Sequence, residues 1–571
     1  MTVPSTRFPT PQNVGGTPLY LPRRAILKGT IAAAAVGFWA SACGPAGSSS
    51  SAGGKSSKTT LVEAAAAMPV TLAMDTGRGV GYEGFEVWQL VQANLVRNPY
   101  VPDPNDPNVI VQDWYHWEGE LAEGYDVSKD GLTYTFHLAK GVVSQAGNPL
   151  TADDVLWSFK RKFNTPNISS YLFKPAITNP AKQITKVDDH TVQIKLAAAG
   201  HGFPMLAVIS KLAGHIYDSK LLLEHTTKKD PYALEYSNVQ SKGNFGFGPY
   251  KITSYEEGNQ IVFESNSGYV KGEPALKKIT MRIVPDAGNR AALLKAGDVD
   301  TAVQLLPADI ADMSKDKNLR TFSVETNNFT WLLMNAKSKV FADQKVRQAF
   351  FKAIPYDQII KTVYHGAGKP AKGWMDPKAP GYDGTGIPDQ VYDPKGALKL
   401  LGEAGVSTPV KFSIMCSSAV PDLQEVAVQM QSFGKDAGFD IKVDVVPATT
   451  DADRKNARDY EACLMRDMVV SWESQTYTLR LLRGTGPNDP GNWLGWAPPE
   501  YLAEIDAGVA AGDPFGKAAG KHWHKAHLML MEGCTLIQVC NVTPLMAQRS
   551  NVTPYTQRSD NVYELSRLKK T

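Results

Sequence analysis

The chain of 571 residues has almost no excess of charge of either sign, because 60 Lys and Arg oppose 57 Asp and Glu and leave +3. A nucleic-acid-binding protein usually shows a strong basic excess or stripe, so the composition does not favour that function. Common enzyme motifs are also missing: there is no G-x-S-x-G nucleophile elbow, no H-E-x-x-H metal motif and no phosphate-binding P-loop. Nothing in the sequence therefore argues for catalysis.

Cysteine is scarce, with five in the chain, and no C-x-x-C or Cys/His spacing suggests a metal site or a cofactor. Cys534 and Cys540 flank a predicted strand, and six strand steps span about 20 Å, which is too far for a disulfide. Cys416 and Cys463 lie in strand-like segments of one region. They are expected to be either a disulfide pair or two buried free thiols.

Long hydrophobic runs are absent after residue 42, and the apolar run at residues 29–42 is itself shorter than the roughly 20 residues that span a membrane. Arg23 and Arg24 precede this run and small residues follow it, which predicts an export signal in residues 1–42. The paired arginines resemble a twin-arginine signal, which is an address and not an anchor. Ala40–Cys43 resembles a lipobox, which implies lipidation of Cys43; the alternative is an ordinary core cysteine.

Residues 43–58 are rich in Gly and Ser and are expected to form a flexible tether. The remainder is too long for one hydrophobic core, so two or three domains are expected. Order is predicted to begin near Pro69, with a strand at Val70–Met74 and a helix at Phe85–Arg97. The mature chain is therefore expected to be a globular body held outside the membrane.

A hairpin and a helix are predicted in the block Leu121–Arg161. Tyr125–Val127 and Leu132–Leu138 alternate like strands around the turn at Lys129–Gly131, and Thr151 suits a helix N-cap. With its Asp-Gly turn and its Pro-Leu-Thr-Ala-Asp segment, this block resembles the extracytoplasmic solute-binding proteins of the peptide/nickel class, family 5, which serve ABC importers.

Three later blocks resemble the same family in the same order. They contain the family's G-x-GPY strand, its VRQA helix and its YDP helix, and they are Gly246–Asp300, Trp331–Gly373 and Tyr392–Gly405. The resemblance extends from about Pro69 to the C-terminus. This resemblance implies an α/β, two-lobed, periplasmic-binding-protein-like fold of type II, with an extra α/β subdomain in lobe one.

The family's architecture implies the following domain boundaries for this chain. Lobe one is expected to comprise 59–97, 237–327 and 534–571, the extra subdomain 98–236, and lobe two 328–533. Two crossing strands are expected near Asn328–Asn335 and Thr535–Val542.

Lobe two also shows alternating strand and helix patterns without reference to the family. Predicted strands are Val410–Met415, Phe439–Val446 and Tyr460–Met465, and Leu423–Ala437 is a predicted helix. Ligands of such α/β sheets bind beyond the carboxyl ends of the strands, and two lobes can close on a ligand by a hinge.

The segment after the last predicted strand holds the first candidate ligand-binding residues. In peptide-binding relatives, an Asp in the matching segment pairs with the peptide's α-amino group, but that position is Val470 here. Arg466 could bind a ligand carboxylate or phosphate, and Asp467 or Glu473 could replace the missing acid. Alternatively, Arg466 and Asp467 neutralise each other or their neighbours on the lobe surface.

Aromatic residues of the predicted cleft are the second group of candidates. Flat rings suit peptide side chains, sugars and cations alike, although a buried Trp is often simply part of the core. These candidates are Trp472, Trp88, Trp493 and Tyr82. His522, His524 and His527 lie in a predicted helix, which is structural in the family, and no metal is expected there.

The sequence thus predicts a solute-binding lipoprotein that is not an enzyme, needs no cofactor and acts as a monomer. Its expected partners are a peptide or another small solute, the permease of an ABC importer, and a membrane contacted through Cys43. An oligosaccharide remains an alternative ligand. Two further alternatives are an exported enzyme and a binding-protein scaffold reused for interaction or regulation in the cell envelope.

Overall fold

The computed structural model describes residues 57–69, 71–73, 82–165, 168–173, 176–239, 242–326, 328–375, 377, 382–418, 420–468, 492–513, 516–559 and 562–571. The predicted signal with Arg23 and Arg24, the lipid-bearing Cys43 and nearly all of the tether lie outside these residues, so those expectations stay predictions.

The described residues form 24 strands and 16 helices, together with a few 3₁₀ turns. The strands are β1 Thr60–Ala65, β2 Val96–Arg97, β3 Tyr100–Pro102, β4 Val109–Gln112, β5 Glu118–Gly119, β6 Ala122–Val127, β7 Thr133–Leu138, β8 Ile184–Asp188, β9 Thr191–Lys195, β10 Tyr250–Glu256, β11 Gln260–Ser265, β12 Lys278–Ile283, β13 Thr301–Ala302, β14 Leu319–Thr321, β15 Asn328–Met334, β16 Gly368–Lys369, β17 Val410–Ser417, β18 Phe439–Val446, β19 Ala462–Met468, β20 Leu536–Val542, β21 Ala547–Arg549, β22 Val552–Thr553, β23 Tyr555–Gln557 and β24 Lys569–Lys570. The helices are α1 Tyr82–Val91, α2 Ala152–Asn164, α3 Ile168–Phe173, α4 Pro180–Gln183, α5 Gly202–Ile209, α6 Ser219–Leu223, α7 Leu234–Ser237, α8 Ala287–Ala296, α9 Pro307–Met313, α10 Gln344–Ala353, α11 Tyr356–Thr362, α12 Pro394–Glu403, α13 Pro421–Gly434, α14 Ala448–Ala457, α15 Pro499–Ala510 and α16 Lys517–Gly533.

A seven-stranded sheet has the order β10-β11-β12-β1-β13-β21-β14, with β1 at its centre and parallel to both neighbours. The sequence prediction was wrong here, because order does not begin near Pro69 and residues 71–73 are not a strand. Strand β1 was missed because a central parallel strand is buried on both faces and shows no alternation. Its one charged residue, Glu63, is fully buried and interrupts the apolar run.

A six-stranded sheet has the order β16-β20-β15-β19-β17-β18. Strands β17 and β18 run parallel in unbroken register from Val410 opposite Phe439 to Ser417 opposite Val446. The three strands and the helix predicted here are confirmed to within three residues at each end. Periodicity sufficed because each element keeps one pattern over its length.

A four-stranded antiparallel sheet, β6-β7-β9-β8, contains the predicted hairpin. Gly131 in its turn has a φ of +70°, a conformation that glycine adopts without strain. Helix α2 follows as predicted, with the Thr151 backbone N–H donating to the Asp154 carboxylate over 2.8 Å. The predicted helix at Phe85–Arg97 instead begins at Tyr82 and ends at Val91, because residues 96–97 pair with β5.

The chain passes from the seven-stranded to the six-stranded sheet between β14 and β15 and returns between β20 and β21. The strands on which the crossings were predicted, β15 and β20, lie side by side inside the six-stranded sheet. The two sheets are thus joined by two short segments that lie next to each other. Such a pair of connections suits a hinge.

Cys416 and Cys463 lie on the neighbouring strands β17 and β19 as free thiols, so the disulfide alternative is not formed. Histidine 527 on α16 is buried and accepts a hydrogen bond from the Trp374 backbone N–H over 2.7 Å. Burial lowers the pKa of His527 to about 4, so its ring is neutral and serves packing. Within the described ranges, no helix is long and apolar enough to cross a membrane.

Candidate functional site

The carboxyl ends of β17, β18 and β19 lie at one edge of the six-stranded sheet, where α/β proteins commonly bind ligands. Helix α13 begins at this edge, four residues after β17 ends. Its positive N-terminal end carries Asp422 in the first turn, where a carboxylate is stabilised by the helix dipole. The fold therefore places a carboxylate next to the last residues of β19.

Arg466, a predicted ligand-binding residue near the end of β19, makes a close ion pair with this carboxylate. The side chain of Arg466 is 14 % exposed and that of Asp422 is 10 % exposed, so the pair is largely shielded from water. Arg466 is thus neutralised by a neighbour in space, as the alternative expected, and this neighbour is Asp422, 44 residues earlier in the chain. The pair lies at the carboxyl edge of the six-stranded sheet and not on an open surface.

Tyr364 and Thr330 extend the ion pair into a network. The Tyr364 hydroxyl accepts from the Arg466 guanidinium over 3.0 Å and lies 3.1 Å from the Asp422 carboxylate. It also shares a 2.6 Å hydrogen bond with the Thr330 hydroxyl on β15. Because Thr330 lies opposite Arg466 in the strand register, the network links β15, β19, α13 and the segment that follows α11.

Burial and the neighbouring charges have opposite effects on the pKa of Arg466. Burial disfavours the charge on Arg466, but the attraction of Asp422 and Tyr364 outweighs it and raises the pKa, so the guanidinium stays protonated. Burial raises the pKa of Tyr364 well above its usual value, so its hydroxyl keeps its proton. Burial likewise raises the pKa of the adjacent Cys540 thiol to about 12. None of these groups is poised as a nucleophile or base near neutral pH.

One donor of the network is unused. The Arg466 Nε–H is buried and has no hydrogen-bond partner among the residues that the structure describes. A buried donor without a partner costs free energy, and a ligand oxygen beside it would remove that cost. As far as the described residues go, Arg466 therefore combines a fixed charge with an Nε–H that has no partner.

The two crossing segments meet close to this network. The Asn541 side-chain amide donates to the Thr326 carbonyl and, over 3.2 Å, to the Asn328 carbonyl. The Thr326 hydroxyl donates to the Val542 carbonyl over 2.7 Å, and the Lys369 ammonium donates to the Ser323 carbonyl over 2.8 Å. Both crossings are thus tied to each other, so they should bend together.

Trp493 lies away from Arg466. Its indole N–H donates to Asn456 over 3.1 Å, the Lys455 ammonium sits 5.4 Å from its ring centre, and its carbonyl accepts from the Tyr460 hydroxyl over 2.8 Å. Tyr460 precedes β19, whereas Arg466 is near its end, so the two regions are about 20 Å apart along the strand. The structure does not bring these two candidates together.

Trp88 is fully buried on α1, where it packs edge-on against Phe85 with ring centres 5.8 Å apart. This placement fits the alternative that it is an interior residue. Tyr82 is the first residue of α1, and Asp467 lies in β19, but their side chains are outside the described residues. Trp472 and Glu473 lie wholly outside them, so the roles of these four residues stay predictions.

The sequence interpretation missed Asp422 as a site residue and gave Tyr364 no role. A signal for Asp422 was present, since this acidic residue directly precedes the helix predicted at Leu423–Ala437 and follows the strand predicted at Val410–Met415. A residue between such a strand and such a helix lies at the carboxyl edge of the sheet. No comparable signal marks Thr330 or Tyr364, because their contact depends on how α11 packs on the sheet.

The sequence profile of the bacterial extracellular solute-binding proteins, family 5 (middle region), matches residues 116–489. The dipeptide-binding protein of Escherichia coli K12 is 34 % identical over 300 residues, which are 50 % of this chain and 54 % of that protein. Heme-binding protein A of Haemophilus influenzae is 34 % identical over 302 residues, again 50 % and 54 %. The chain thus spans about half the length of these relatives.

Among solved structures, the ABC transporter-associated periplasmic binding protein DppA of Helicobacter pylori, in complex with the peptide STSA, superposes with a TM-score of 0.73. The match covers 90 % of this chain and 98 % of the other, at 22 % identity. At this identity the similarity establishes the fold, which confirms the predicted α/β periplasmic-binding-protein-like architecture.

Proposed function

We propose that this chain, which belongs to the family 5 bacterial extracellular solute-binding proteins, captures a peptide between its two large sheets and delivers it to the permease of an ABC importer. The observation that carries the proposal is the geometry of the six-stranded sheet: its carboxyl edge holds Arg466 and lies beside two tied crossings to the second sheet. The dipeptide-binding function of a relative at 34 % identity supports a peptide ligand.

We assign the lobes as follows. Lobe one comprises 59–97, 237–327 and the C-terminal segment, the extra subdomain 98–236, and lobe two begins at residue 328. Since β20 belongs to the six-stranded sheet, the return to lobe one falls after Val542 and not at residue 534. Separate hydrophobic clusters under the three larger sheets support this division.

Capture proceeds by a shift of the open–closed equilibrium, since a ligand that contacts both lobes favours the closed form. Arg466 offers its Nε edge to a ligand carboxylate, while Asp422 and Tyr364 hold the guanidinium in place. Trp472, Asp467 and Glu473 follow in the chain and are assigned to the same cleft. No covalent step on the ligand is required.

A thermal-shift screen of the purified protein tests this function. We expect di- to penta-peptides to raise the unfolding temperature, because a ligand at a hundred times its Kd stabilises the folded state by about 2.7 kcal/mol. Oligosaccharides form the second panel, since the amine-binding Asp is replaced by Val470. A rise in the unfolding temperature with oligosaccharides alone would indicate carbohydrate uptake instead of peptide uptake. No rise with either panel would contradict the proposed solute-binding function.

The variant Arg466→Lys tests the residue assignment within the same screen. Lysine preserves a positive charge beside Asp422 but cannot supply the guanidinium edge. We expect the affinity for a peptide hit to fall at least tenfold, while Lys442→Arg, on the exposed side of β18, leaves it unchanged. Equal affinity of Arg466→Lys and the wild type would remove Arg466 from the binding site.

The export route is part of the proposal. We infer a twin-arginine signal in residues 1–42 and a lipid on Cys43 that anchors the protein at the outer face of the cell membrane. Replacing both Arg23 and Arg24 by Lys is expected to abolish its appearance outside the membrane, as measured by fractionation of cells. Cys43→Ser should instead permit export and release the protein from the membrane fraction; unchanged export of the double-Lys variant would refute the route.

A further inference from the structure

A small cavity lies where α1 and the segment that follows it meet the extra subdomain and the C-terminal residues Arg558, Glu564, Ser566 and Arg567. Its volume is about 20 Å³, which is room for one or two water molecules and too little for a peptide or a sugar. The cavity shares no residue with the network of Arg466, Asp422, Tyr364 and Thr330.

The inner wall of this cavity carries polar atoms that lack a partner in the described part of the chain. They are the Trp88 indole N–H, the Gln89 side-chain oxygen, both polar atoms of the Gln92 amide and the Asn94 side-chain oxygen. All four residues are at least 94 % buried. Buried polar groups are nearly always hydrogen-bonded, so such a concentration points to a bound molecule.

The orientation of these groups is fixed by their other contacts. The Gln89 amide N–H donates to the Tyr563 carbonyl, and that of Asn94 donates to the Ser210 carbonyl over 3.1 Å, so both side-chain oxygens are left as acceptors. Gln92 is held against Gly246, where an added Cβ would lie 2.2 Å from its side-chain oxygen. Only a glycine at position 246 therefore leaves room for the Gln92 side chain.

Vacant donors and vacant acceptors are thus mixed in one small space. The donors are the Trp88 indole N–H, the Gln92 amide and the Arg567 Nε–H, and the acceptors are the oxygens of Gln89, Gln92 and Asn94. An anion could use only the donors and a cation only the acceptors. A molecule that both donates and accepts is required.

The surrounding charges are already compensated to a large extent. Arg97 pairs with Glu118 at 2.7 Å, and Arg558 pairs with Glu564 at 2.9 Å. Arg567 stacks on the ring of Tyr100, with its guanidinium carbon 4.3 Å from the ring centre. Among the charged residues that line the cavity are three arginines and two glutamates, Glu120 and Glu564, so both signs of charge are present in its wall.

From this balance of groups and the volume, we propose that the cavity is a built-in hydration site for two ordered water molecules. They bridge the vacant groups of Trp88, Gln89, Gln92 and Asn94 to the Nε–H of Arg567, and so they fix the C-terminal segment against lobe one. Two waters offer four donors and four acceptors, which matches the mixed set of vacant groups.

A high-resolution crystal structure of the full chain tests the proposal directly. We expect two density peaks within hydrogen-bond distance of Trp88, Gln92 and Asn94, and no anomalous signal there in crystals grown with bromide. An anomalous peak would identify an anion site instead. An empty cavity, or one closed by Gln92, would also overturn the proposal.

The variant Gln92→Met supplies a second readout. Methionine has nearly the same size but cannot bond water in this way, so both peaks should be lost and the Tm should fall by roughly 2 °C. Gln344→Met, the same change at an exposed position of α10, is the control and should leave the Tm unchanged. Retention of both water peaks in Gln92→Met, or an unchanged Tm, would show that these waters do not bridge the segments.

Discussion

Asp422→Asn is expected to lower the free energy of unfolding by about 3 kcal/mol, because it leaves the buried charge of Arg466 without its partner. Asparagine has the same shape as aspartate, so little packing is lost and the effect reports mainly the charge. Part of the loss also comes from the helix dipole, since a carboxylate in the first turn of α13 contributes up to about 1 kcal/mol. Urea-induced unfolding followed by circular dichroism measures the change.

A double-mutant cycle separates these contributions. Arg466→Gln alone should also destabilise the protein, whereas the double variant with Asp422→Asn should lose less than the sum of the two single variants. Glu425→Gln, at an exposed position on the same helix, is the matched control and should change the free energy of unfolding by less than about 0.5 kcal/mol. Additive losses of Asp422→Asn and Arg466→Gln would show that the pair is not coupled.

The second large effect concerns Glu63 in the centre of the seven-stranded sheet. This carboxyl group is fully buried; one oxygen accepts from the Thr301 hydroxyl over 3.2 Å, and the other has no partner in the described residues. Burial raises the pKa of Glu63 from 4.5 to about 7. The folded state therefore binds a proton at Glu63 more tightly than the unfolded state does.

The sign of the pH dependence follows from this shift. The stabilising contribution of protonated Glu63 is complete below pH 4.5 and is lost as the pH rises through 7. The total loss is about 3 kcal/mol, because the pKa of Glu63 is about 7 in the folded state and 4.5 in the unfolded state. Glu63→Gln, which is neutral at every pH, should thus be more stable than the wild type at pH 8 by up to that amount.

Thermal unfolding at pH 5 and pH 8 provides the measurement for Glu63. The advantage of Glu63→Gln should be largest at pH 8 and small at pH 5, where the wild-type carboxyl group is protonated in the folded state. Glu257→Gln in the exposed turn between β10 and β11 is the control and should show no such difference. An equal effect of Glu63→Gln at both pH values would contradict the shifted pKa.

Local patterns predicted much of the architecture. The hairpin around Gly131, the helix after Thr151 and the strands β17, β18 and β19 were all identified from alternation, turn residues and caps, which depend on neighbours in sequence. Strand β1 was not identified, because Glu63 in a doubly buried strand resembles neither a helical nor an alternating pattern. The end of α1 was misplaced, because residues 96–97 take their conformation from pairing with β5, about 20 residues away.

The candidate site was likewise predicted from the sequence only in part. The sequence identified Arg466 as a charged residue at the end of a strand, and the family resemblance suggested that it faces a ligand. Its partners Asp422 and Tyr364 lie 44 and 102 residues away in the chain, and only the packing of α11 and α13 on the sheet brings them to it.

The sequence by itself determined the fold class and the family, because the motifs that carry the family resemblance are contiguous in the chain. Short-range periodicity also located the hairpin around Gly131, the helix after Thr151, strands β17, β18 and β19, and helix α13. The tertiary structure decided which buried groups have partners: it paired Arg466 with Asp422, left Glu63 with one hydrogen bond and enclosed the vacant groups around Gln92. These outcomes depend on contacts between distant segments, and the free energy of a buried charge or polar group is set by those contacts and not by its neighbours in sequence.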